Sequence, residues 1–283
     1  MSRRLLASLL CGLGAVAAAQ AQEAVQIPPA GLSTAPAPLP GFLFRAAGDG
    51  PHAAVVMLHG CGGAYAKDGG LNARHRMWGE FLAAHGIAAL MLDSLTPRGE
   101  RSLCTQKFAD RKLRESDRRG DAYAALAWLR AQPGIAPQRI GLLGWSHGGG
   151  TTLDTIARAP RAGTGFASAV AFYPGCSKRA QRAEAYRPYA PLLIVMGEAD
   201  DWTPFAPCRD LVAALAARGE AVRLLSYPDT YHDFDNPALR SRRVREEVPN
   251  GVNPGQGTTV APNPAAREDA KRQVLAFFRQ TLP

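Results

Sequence analysis

Short, almost wholly apolar segments recur along this chain, and helix-like segments lie between them. Strands that read as continuous apolar runs are buried on both faces, which is typical of a parallel sheet covered by helices. The sequence therefore predicts an α/β protein with a mostly parallel central sheet and helices on both faces. Strands are predicted over residues 53–58, 87–92, 139–144, 166–172, 191–196 and 221–226, and helices over residues 77–84, 117–130, 209–217 and 264–281.

The first 38 residues stand apart from this alternation. Residues 1–21 combine a basic start, an apolar stretch and small residues at the end, which is typical of a secretory signal peptide cleaved after Ala21. The alternative is a membrane anchor, but the stretch is short for a bilayer span. We therefore predict a periplasmic or secreted protein with no membrane span after cleavage. Residues 22–38, rich in proline and alanine, are predicted to be a linker, and residues 39–283 one folded domain.

Cleavage would remove Cys11 and leave Cys61, Cys104, Cys176 and Cys208. An even number of cysteines in an oxidising compartment predicts two disulfides, although four cysteines allow three pairings. We favour Cys61–Cys104 and Cys176–Cys208, because each bridge then joins neighbouring segments. Four unpaired thiols are the alternative. The absence of a CxxC motif argues against a zinc site, and no metal or other cofactor is predicted.

The chain is basic, with a net charge of +9 and an isoelectric point near 9.7. Such a balance can indicate a nucleic-acid partner. Here the basic residues are scattered and interleaved with acids, as in residues 107–119. This pattern favours a solvated surface and no nucleic-acid partner. A protein whose function is its surface charge is the alternative.

A single G-x-S-x-G motif occupies residues 144–148. A predicted strand runs directly into it, and residues 149–153 open a helix after it. In a strand–turn–helix of this kind the sharp turn exposes the hydroxyl of the serine, and the flanking glycines avoid collisions with neighbouring backbone. Ser146 is therefore the predicted nucleophile. The alternative is a structural turn that contains an incidental serine.

A serine hydroxyl needs a base, and after such an elbow the acid and the base follow in the order Asp or Glu, then His. Four of the six histidines precede the serine and His147 adjoins it, so His232 is the predicted base. Two carboxylates follow the predicted strand 191–196. We predict that Asp200 orients the imidazole. Asp201 is expected to hold the loop through hydrogen bonds.

The reaction also needs two backbone N–H donors for the developing oxyanion. The predicted donors are His147, directly after the nucleophile, and Cys61, in the glycine-rich turn of residues 59–63. The alternative is that this turn only shapes the backbone; His59 is interpreted as a structural hydrogen-bonding residue. Aromatic residues near these segments could line a substrate pocket or belong to the core. They are Tyr65, Trp145, Tyr173, Trp202 and Phe234.

Taken together, residues 39–282 resemble the dienelactone hydrolase family, whose members have the α/β-hydrolase fold. The resemblance is carried by the segments LHGCGG at 58–63, GWSHGG at 144–149 and GEADDWTP at 197–204, and by YP at 227–228 with HDF at 232–234. In this family the acid lies four residues before a proline, which matches Asp200. The best-known members are cytosolic and carry cysteine as nucleophile, whereas this chain has Ser146 and additional cysteines.

The resemblance implies a catalytic domain that cleaves small carboxylic esters, and possible lactones, through an acyl-enzyme. Dienelactone itself is a less favoured substrate than a general carboxylic ester because of the serine nucleophile. Two alternatives stay open. An amidase or exopeptidase could use the same three residues, and an exported binding protein could keep the fold without turnover.

Overall fold

The computed structural model describes residues 22–157 and 163–283. The predicted signal peptide, residues 1–21, lies outside the described residues. Eight strands of the described chain form the central sheet: β1 Glu23–Ile27, β2 Leu39–Phe44, β3 His52–Leu58, β4 Ile87–Leu92, β5 Ile135–Trp145, β6 Ala169–Phe172, β7 Leu192–Gly197 and β8 Val222–Tyr227. They are ordered β1-β2-β4-β3-β5-β6-β7-β8. The six strands β4, β3, β5, β6, β7 and β8 are parallel to one another. At one edge, β2 pairs antiparallel with β4, and β1 pairs antiparallel with β2.

Helices follow most of these strands, as the alternating pattern predicts. They are α1 Ala73–Ala84, α2 Glu115–Arg130, α3 His147–Ile156, α4 Ser177–Ala180, α5 Phe205–Ala216 and α6 Pro264–Thr281. A small hairpin-like pair, β9 Arg243–Arg245 and β10 Thr258–Val260, lies between β8 and α6 and is separate from the main sheet. Within the described residues, no helix combines the length and the apolar character that a bilayer crossing requires.

The core lies on the central strands, because their side chains are apolar on both faces. Every residue of β4 and β7 is buried. Glycines let two helices approach the sheet closely. A Cβ on Gly79 of α1 would lie 2.4 Å from the ring of Phe44, and one on Gly141 of β5 would lie 2.8 Å from Phe278 of α6. The structure confirms the predicted α/β fold with a mostly parallel sheet.

The first described segment differs from the predicted linker over residues 22–38. Glu23–Ile27 forms β1, and Leu32 lies against α2, where a Cβ on Gly120 would come within 2.1 Å of the Leu32 carbonyl oxygen. The linker prediction is wrong for this edge strand. Its stability comes from pairing with β2, and Ile27 is the only one of its five residues that is buried.

Candidate functional site

The turn between β5 and α3 holds Ser146 in a backbone conformation that side chains rarely adopt. Its φ is 53° and its ψ is −115°. A positive φ is uncommon for a residue other than glycine. Such a strained backbone persists only where the surrounding structure holds it in place. The backbone N–H of Ser146 donates to Phe172 O at 2.9 Å, and its carbonyl accepts from Gly150 N at 2.8 Å. The hydrogen bonds of β6 and α3 thus hold the strained turn.

Two glycines of the motif are required by close backbone packing. A Cβ on Gly144 would lie 2.2 Å from Gly148 O, and a Cβ on Gly148 would lie 2.1 Å from Leu58 O. Neither neighbour is a flexible side chain, so a larger residue would displace backbone. The predicted reason for the glycines, collision of side chains with backbone in a tight turn, agrees with this packing.

The structure brings His232 and Asp200 into contact from two separate loops. His232 Nδ1 lies 2.7 Å from Asp200 Oδ2, and both residues are buried. Asp200 Oδ1 accepts the backbone N–H groups of Trp202 and Thr203 at 2.9 and 2.8 Å. The imidazole packs against the rings of Tyr173 and Trp202, whose centroids are 4.4 and 4.7 Å away. Because Nδ1 donates to the carboxylate, Nε2 is the nitrogen left to accept a proton.

The neighbouring Asp201 has a different set of contacts. Its Oδ1 accepts the backbone N–H of Thr259 and its Oδ2 accepts the hydroxyl of the same residue, each at 2.7 Å. Its carbonyl accepts from Val252 N at 2.8 Å. Asp201 therefore holds the segment that carries β10, which fits the loop-holding role expected for it.

The two predicted oxyanion donors, His147 and Cys61, line the same small cavity as Ser146. His147 is the first residue of α3, and the first N–H groups of a helix have no intrahelical acceptor. Cys61 is bonded to Cys104, and its carbonyl accepts from Leu103 N at 2.8 Å. The second disulfide joins Cys176 to Cys208. These are the two pairings favoured from the sequence.

His59, in the same glycine-rich turn as Cys61, uses both ring nitrogens in hydrogen bonds to the backbone. Its Nδ1 lies 2.7 Å from Gly60 O, and its Nε2 accepts the backbone N–H of Ser94 at 3.2 Å. Burial, with the nearby charge of Arg118, lowers the pKa of His59 well below its usual value. The neutral ring bridges two loops, in agreement with the sequence interpretation.

Arg118 is a buried residue that sequence reasoning missed. Its Nη1 donates to His59 O at 3.0 Å and lies 2.9 Å from His147 Nδ1, so one guanidinium joins the glycine-rich turn of residues 59–63 to the start of α3. Burial lowers the pKa of Arg118 to about 10. Arg118 lies on the predicted helix 117–130 in a run of basic and acidic residues, and no local pattern distinguishes it from the half-buried Asp117 and Arg119 beside it.

Sequence reasoning also missed a network of buried hydrogen bonds next to His232, in which Arg74 and Asp235 take part. Arg74 Nη1 donates to the Tyr173 hydroxyl at 2.8 Å and to Asp233 Oδ1 at 2.5 Å. Asp235 accepts from the Tyr173 hydroxyl at 2.6 Å and from Trp145 Nε1 at 2.9 Å. Burial would raise the pKa of Asp233, but Arg74 and His232 hold it below the usual value. The network fixes the loop that carries His232.

This network also corrects the predicted aromatic pocket. Trp202 lines the cavity at Ser146, whereas Trp145, Tyr173 and Phe234 are fully buried. Trp145 and Tyr173 direct their polar atoms to Asp235, because a buried N–H or O–H needs a partner. Tyr65 packs edge-on against Phe42 with ring centroids 5.8 Å apart. Four of the five residues thus belong to the surrounding packing and not to the cavity wall.

Ser146 and His232 both line one cavity of about 340 Å³. A smaller cavity of about 40 Å³ also reaches Ser146 and is lined by His147. Cys61 lines both. Among the residues that the structure describes, no group of three or more His, Cys, Asp or Glu side chains is arranged to hold a metal ion. The arrangement combines a hydroxyl, an imidazole held by a carboxylate and two candidate N–H donors, which is the set that acyl transfer uses.

The part of the chain that follows the predicted linker is similar to a known family of proteins. The model of the dienelactone hydrolase family matches residues 39–282. A protein from Klebsiella pneumoniae assigned as a dienelactone hydrolase has a similar structure, with a TM-score of 0.68 and 19% identity. The alignment covers 92% of this chain and 100% of that one.

Two further structures are similar over most of their length. A dienelactone hydrolase from Anabaena variabilis has a TM-score of 0.64 at 20% identity, with 93% of this chain and 99% of that chain covered. Esterase 2 of Thermogutta terrifontis, phosphoramylated by tabun, has a TM-score of 0.62 at 19% identity, with 94% and 96% covered. At these identities the likeness establishes a shared fold.

Proposed function

The chain belongs to the dienelactone hydrolase family, and on that premise we propose that it hydrolyses carboxylic esters with Ser146 as the nucleophile. The observation that carries the proposal is the 2.7 Å contact between His232 Nδ1 and Asp200 Oδ2 beside a serine held at φ 53°. An imidazole oriented by a carboxylate is the group that activates a serine hydroxyl.

In the first step Nε2 of His232 takes the proton of the Ser146 hydroxyl as its oxygen attacks the ester carbonyl carbon. The N–H groups of Cys61 and His147 stabilise the oxygen that becomes negative. The bond to the leaving alcohol breaks, and the imidazolium gives its proton to that alcohol. Asp200 keeps the imidazole in the tautomer that this transfer needs and stabilises its positive charge.

In the second step a water molecule takes the place of the alcohol. His232 accepts a proton from this water, whose oxygen attacks the acyl carbon. The bond to Ser146 breaks, the carboxylic acid leaves, and the serine oxygen recovers its proton. No additional reactant is needed, and the net reaction consumes one ester and one water.

We also propose that the protein acts outside the cytoplasm after cleavage of residues 1–21. The support is the pair of disulfides, Cys61–Cys104 and Cys176–Cys208, because disulfides persist in oxidising compartments. Expression with and without residues 1–21, followed by fractionation of the cells, tests this. The proposal requires the full-length chain to appear shortened in the periplasm or the medium, and finding the intact chain in the cytoplasm would contradict it.

A fluorophosphonate probe tests the enzymatic proposal directly. Thermogutta terrifontis esterase 2 reacts with tabun and with paraoxon, which supports an organophosphorus probe for a protein of similar fold. We expect covalent labelling of the wild-type protein and of the Ser241→Ala variant, which removes an exposed serine, but none of Ser146→Ala. An unlabelled but folded wild-type protein would favour a binding function.

The same protein should be assayed on matched esters and amides. Amide cleavage demands protonation of a poor leaving group, so an ester of a given acyl group should be hydrolysed much faster than the corresponding anilide. Faster cleavage of peptide amides would favour the amidase alternative.

A further inference from the structure

Two cavities of very different size meet at the candidate nucleophile. Cys61, Ser146 and Trp202 line both of them. The larger has a volume of about 340 Å³ and the smaller of about 40 Å³. An ester bound at Ser146 would direct its acyl group and its alcohol group to opposite sides of the carbonyl carbon, so each cavity would receive one of them.

The position of His232 decides which group lies where. The imidazole must reach the oxygen of the leaving alcohol, because it donates the proton that this oxygen receives. His232 lines the larger cavity but not the smaller one. The smaller cavity is lined instead by His147, which provides a candidate oxyanion donor. The alcohol therefore belongs in the larger cavity and the acyl chain in the smaller one.

The sizes then set the substrate class. A cavity needs about 10–15 Å³ to hold one water molecule, so 40 Å³ accommodates about three groups of that size. We propose, building on the ester hydrolysis proposed above, that this enzyme removes short acyl groups, acetyl or propionyl, from bulky polar alcohols. The small volume of this cavity favours short acyl chains over long ones.

The lining of the larger cavity indicates the chemistry of the alcohol. Lys67, Asn236 and Arg243 all contribute to it. Lysine and arginine side chains carry hydrogen-bond donors and no acceptor. The acidic Glu247 in the same wall is paired with Arg245 at 2.9 Å. An alcohol rich in oxygen acceptors, such as a polyol or a sugar, fits this wall better than a hydrocarbon chain.

Two residues allow the acyl side to be changed in opposite directions. Phe108 lines the smaller cavity, is 62% exposed and stacks under the guanidinium of Arg111 at 4.6 Å. Its replacement by alanine widens the cavity at little cost to the core. Gly175 lines the same cavity, and a Cβ built on it meets no atom within 4 Å. Gly175→Val therefore narrows the cavity without a backbone clash.

The first experiment compares 4-nitrophenyl acetate, butyrate and hexanoate. Since the leaving group is constant, differences in kcat/KM report the acyl side alone. We expect the wild-type kcat/KM to fall about tenfold or more from acetate to hexanoate, a usual effect of methylene groups that a pocket does not accommodate. Phe108→Ala should raise the ratio of hexanoate to acetate kcat/KM, and Gly175→Val should lower the ratio of butyrate to acetate. Leu32→Ala, another exposed apolar side chain, is the matched control and should change neither ratio.

The second experiment keeps the acetyl group constant and compares ethyl acetate with a monoacetylated sugar. The sugar ester should be hydrolysed with at least the kcat/KM of ethyl acetate. A preference for hexanoate, ratios unaffected by both cavity variants, or rejection of the sugar ester would overturn this inference while Ser146-dependent hydrolysis stands. Loss of hydrolysis and probe labelling altogether would overturn the proposed function and this inference with it.

Discussion

Asp201 and Thr259 are joined by two hydrogen bonds of 2.7 Å, one to the backbone N–H and one to the hydroxyl of the threonine. Asp201 directly follows Asp200, the candidate acid. Thr259 lies in β10, whose partner β9 contributes Arg243 and Arg245 to the wall of the larger cavity. The loop that carries Asp200 is therefore tied to the segment that forms part of the wall of the larger cavity.

Replacement of Asp201 by alanine should weaken this tie. Losing hydrogen bonds to a carboxylate costs about 1.5–3 kcal/mol, and the freed β9–β10 segment would bind substrate less well. We expect a lower Tm and a raised KM with a smaller change in kcat. Glu198→Ala removes an exposed carboxylate from the same loop, one that accepts from Ser226 at 2.7 Å, and should change neither KM nor kcat. An unaltered KM in Asp201→Ala would show that the segment does not contribute to binding.

Replacement of Asp200 by asparagine should act on kcat. An amide in place of the carboxylate removes the charge that stabilises the imidazolium and permits the wrong tautomer of His232. We expect kcat to fall by about three to four orders of magnitude with little change in Tm. Asp201→Asn is the control at the adjacent position. A similar kcat loss in both variants would point to Asp201 as an equal partner and contradict the assignment.

The two disulfides should differ in their effect on activity. They close loops of similar length, with sequence separations of 43 for Cys61–Cys104 and 32 for Cys176–Cys208. The chain-entropy argument gives each about 3–4 kcal/mol, so both double alanine variants should lose comparable stability. Only the Cys61–Cys104 pair holds the turn of a predicted oxyanion donor, so its removal should also lower kcat. Equal kcat values in the two folded variants would argue against Cys61 as a donor.

Stability should fall in mild acid because burial lowers the pKa of three histidines. Burial lowers the pKa of His59, His147 and His75, the last to about 3. The unfolded chain binds a proton on each near pH 6.5, so below that pH the unfolded state holds more protons than the folded one. The stabilisation is fully present above about pH 6.5 and is lost progressively as the pH falls, by about 1.4 kcal/mol per pH unit for each group.

Denaturant unfolding between pH 7.5 and 4.5 measures this slope. His75→Asn should make the slope shallower by about 1.4 kcal/mol per pH unit, whereas His85→Asn, at an exposed position, should leave it unchanged. Identical slopes in wild type and His75→Asn would mean that His75 is protonated in the folded protein.

Much of this protein is determined by local sequence pattern. The predicted strand at 87–92 and the helix at 264–281 coincide with β4 and α6. Apolar periodicity and glycine spacing are patterns of a few neighbouring residues, so they can be recognised without knowledge of which segments pack together. The order of Ser146, Asp200 and His232 can likewise be predicted from the sequence, because each residue follows a recognisable strand.

Only the tertiary structure decided which side chains meet. The edge strand β1 depends on pairing with β2, and Arg118 joins His59 to His147 across distant segments. Trp145 turns from a predicted pocket residue into a partner of Asp235. In each case a buried polar group or an unpaired strand finds its partner far along the chain. Local periodicity does not predict such contacts, because they stabilise the protein only once the fold has brought the two groups together.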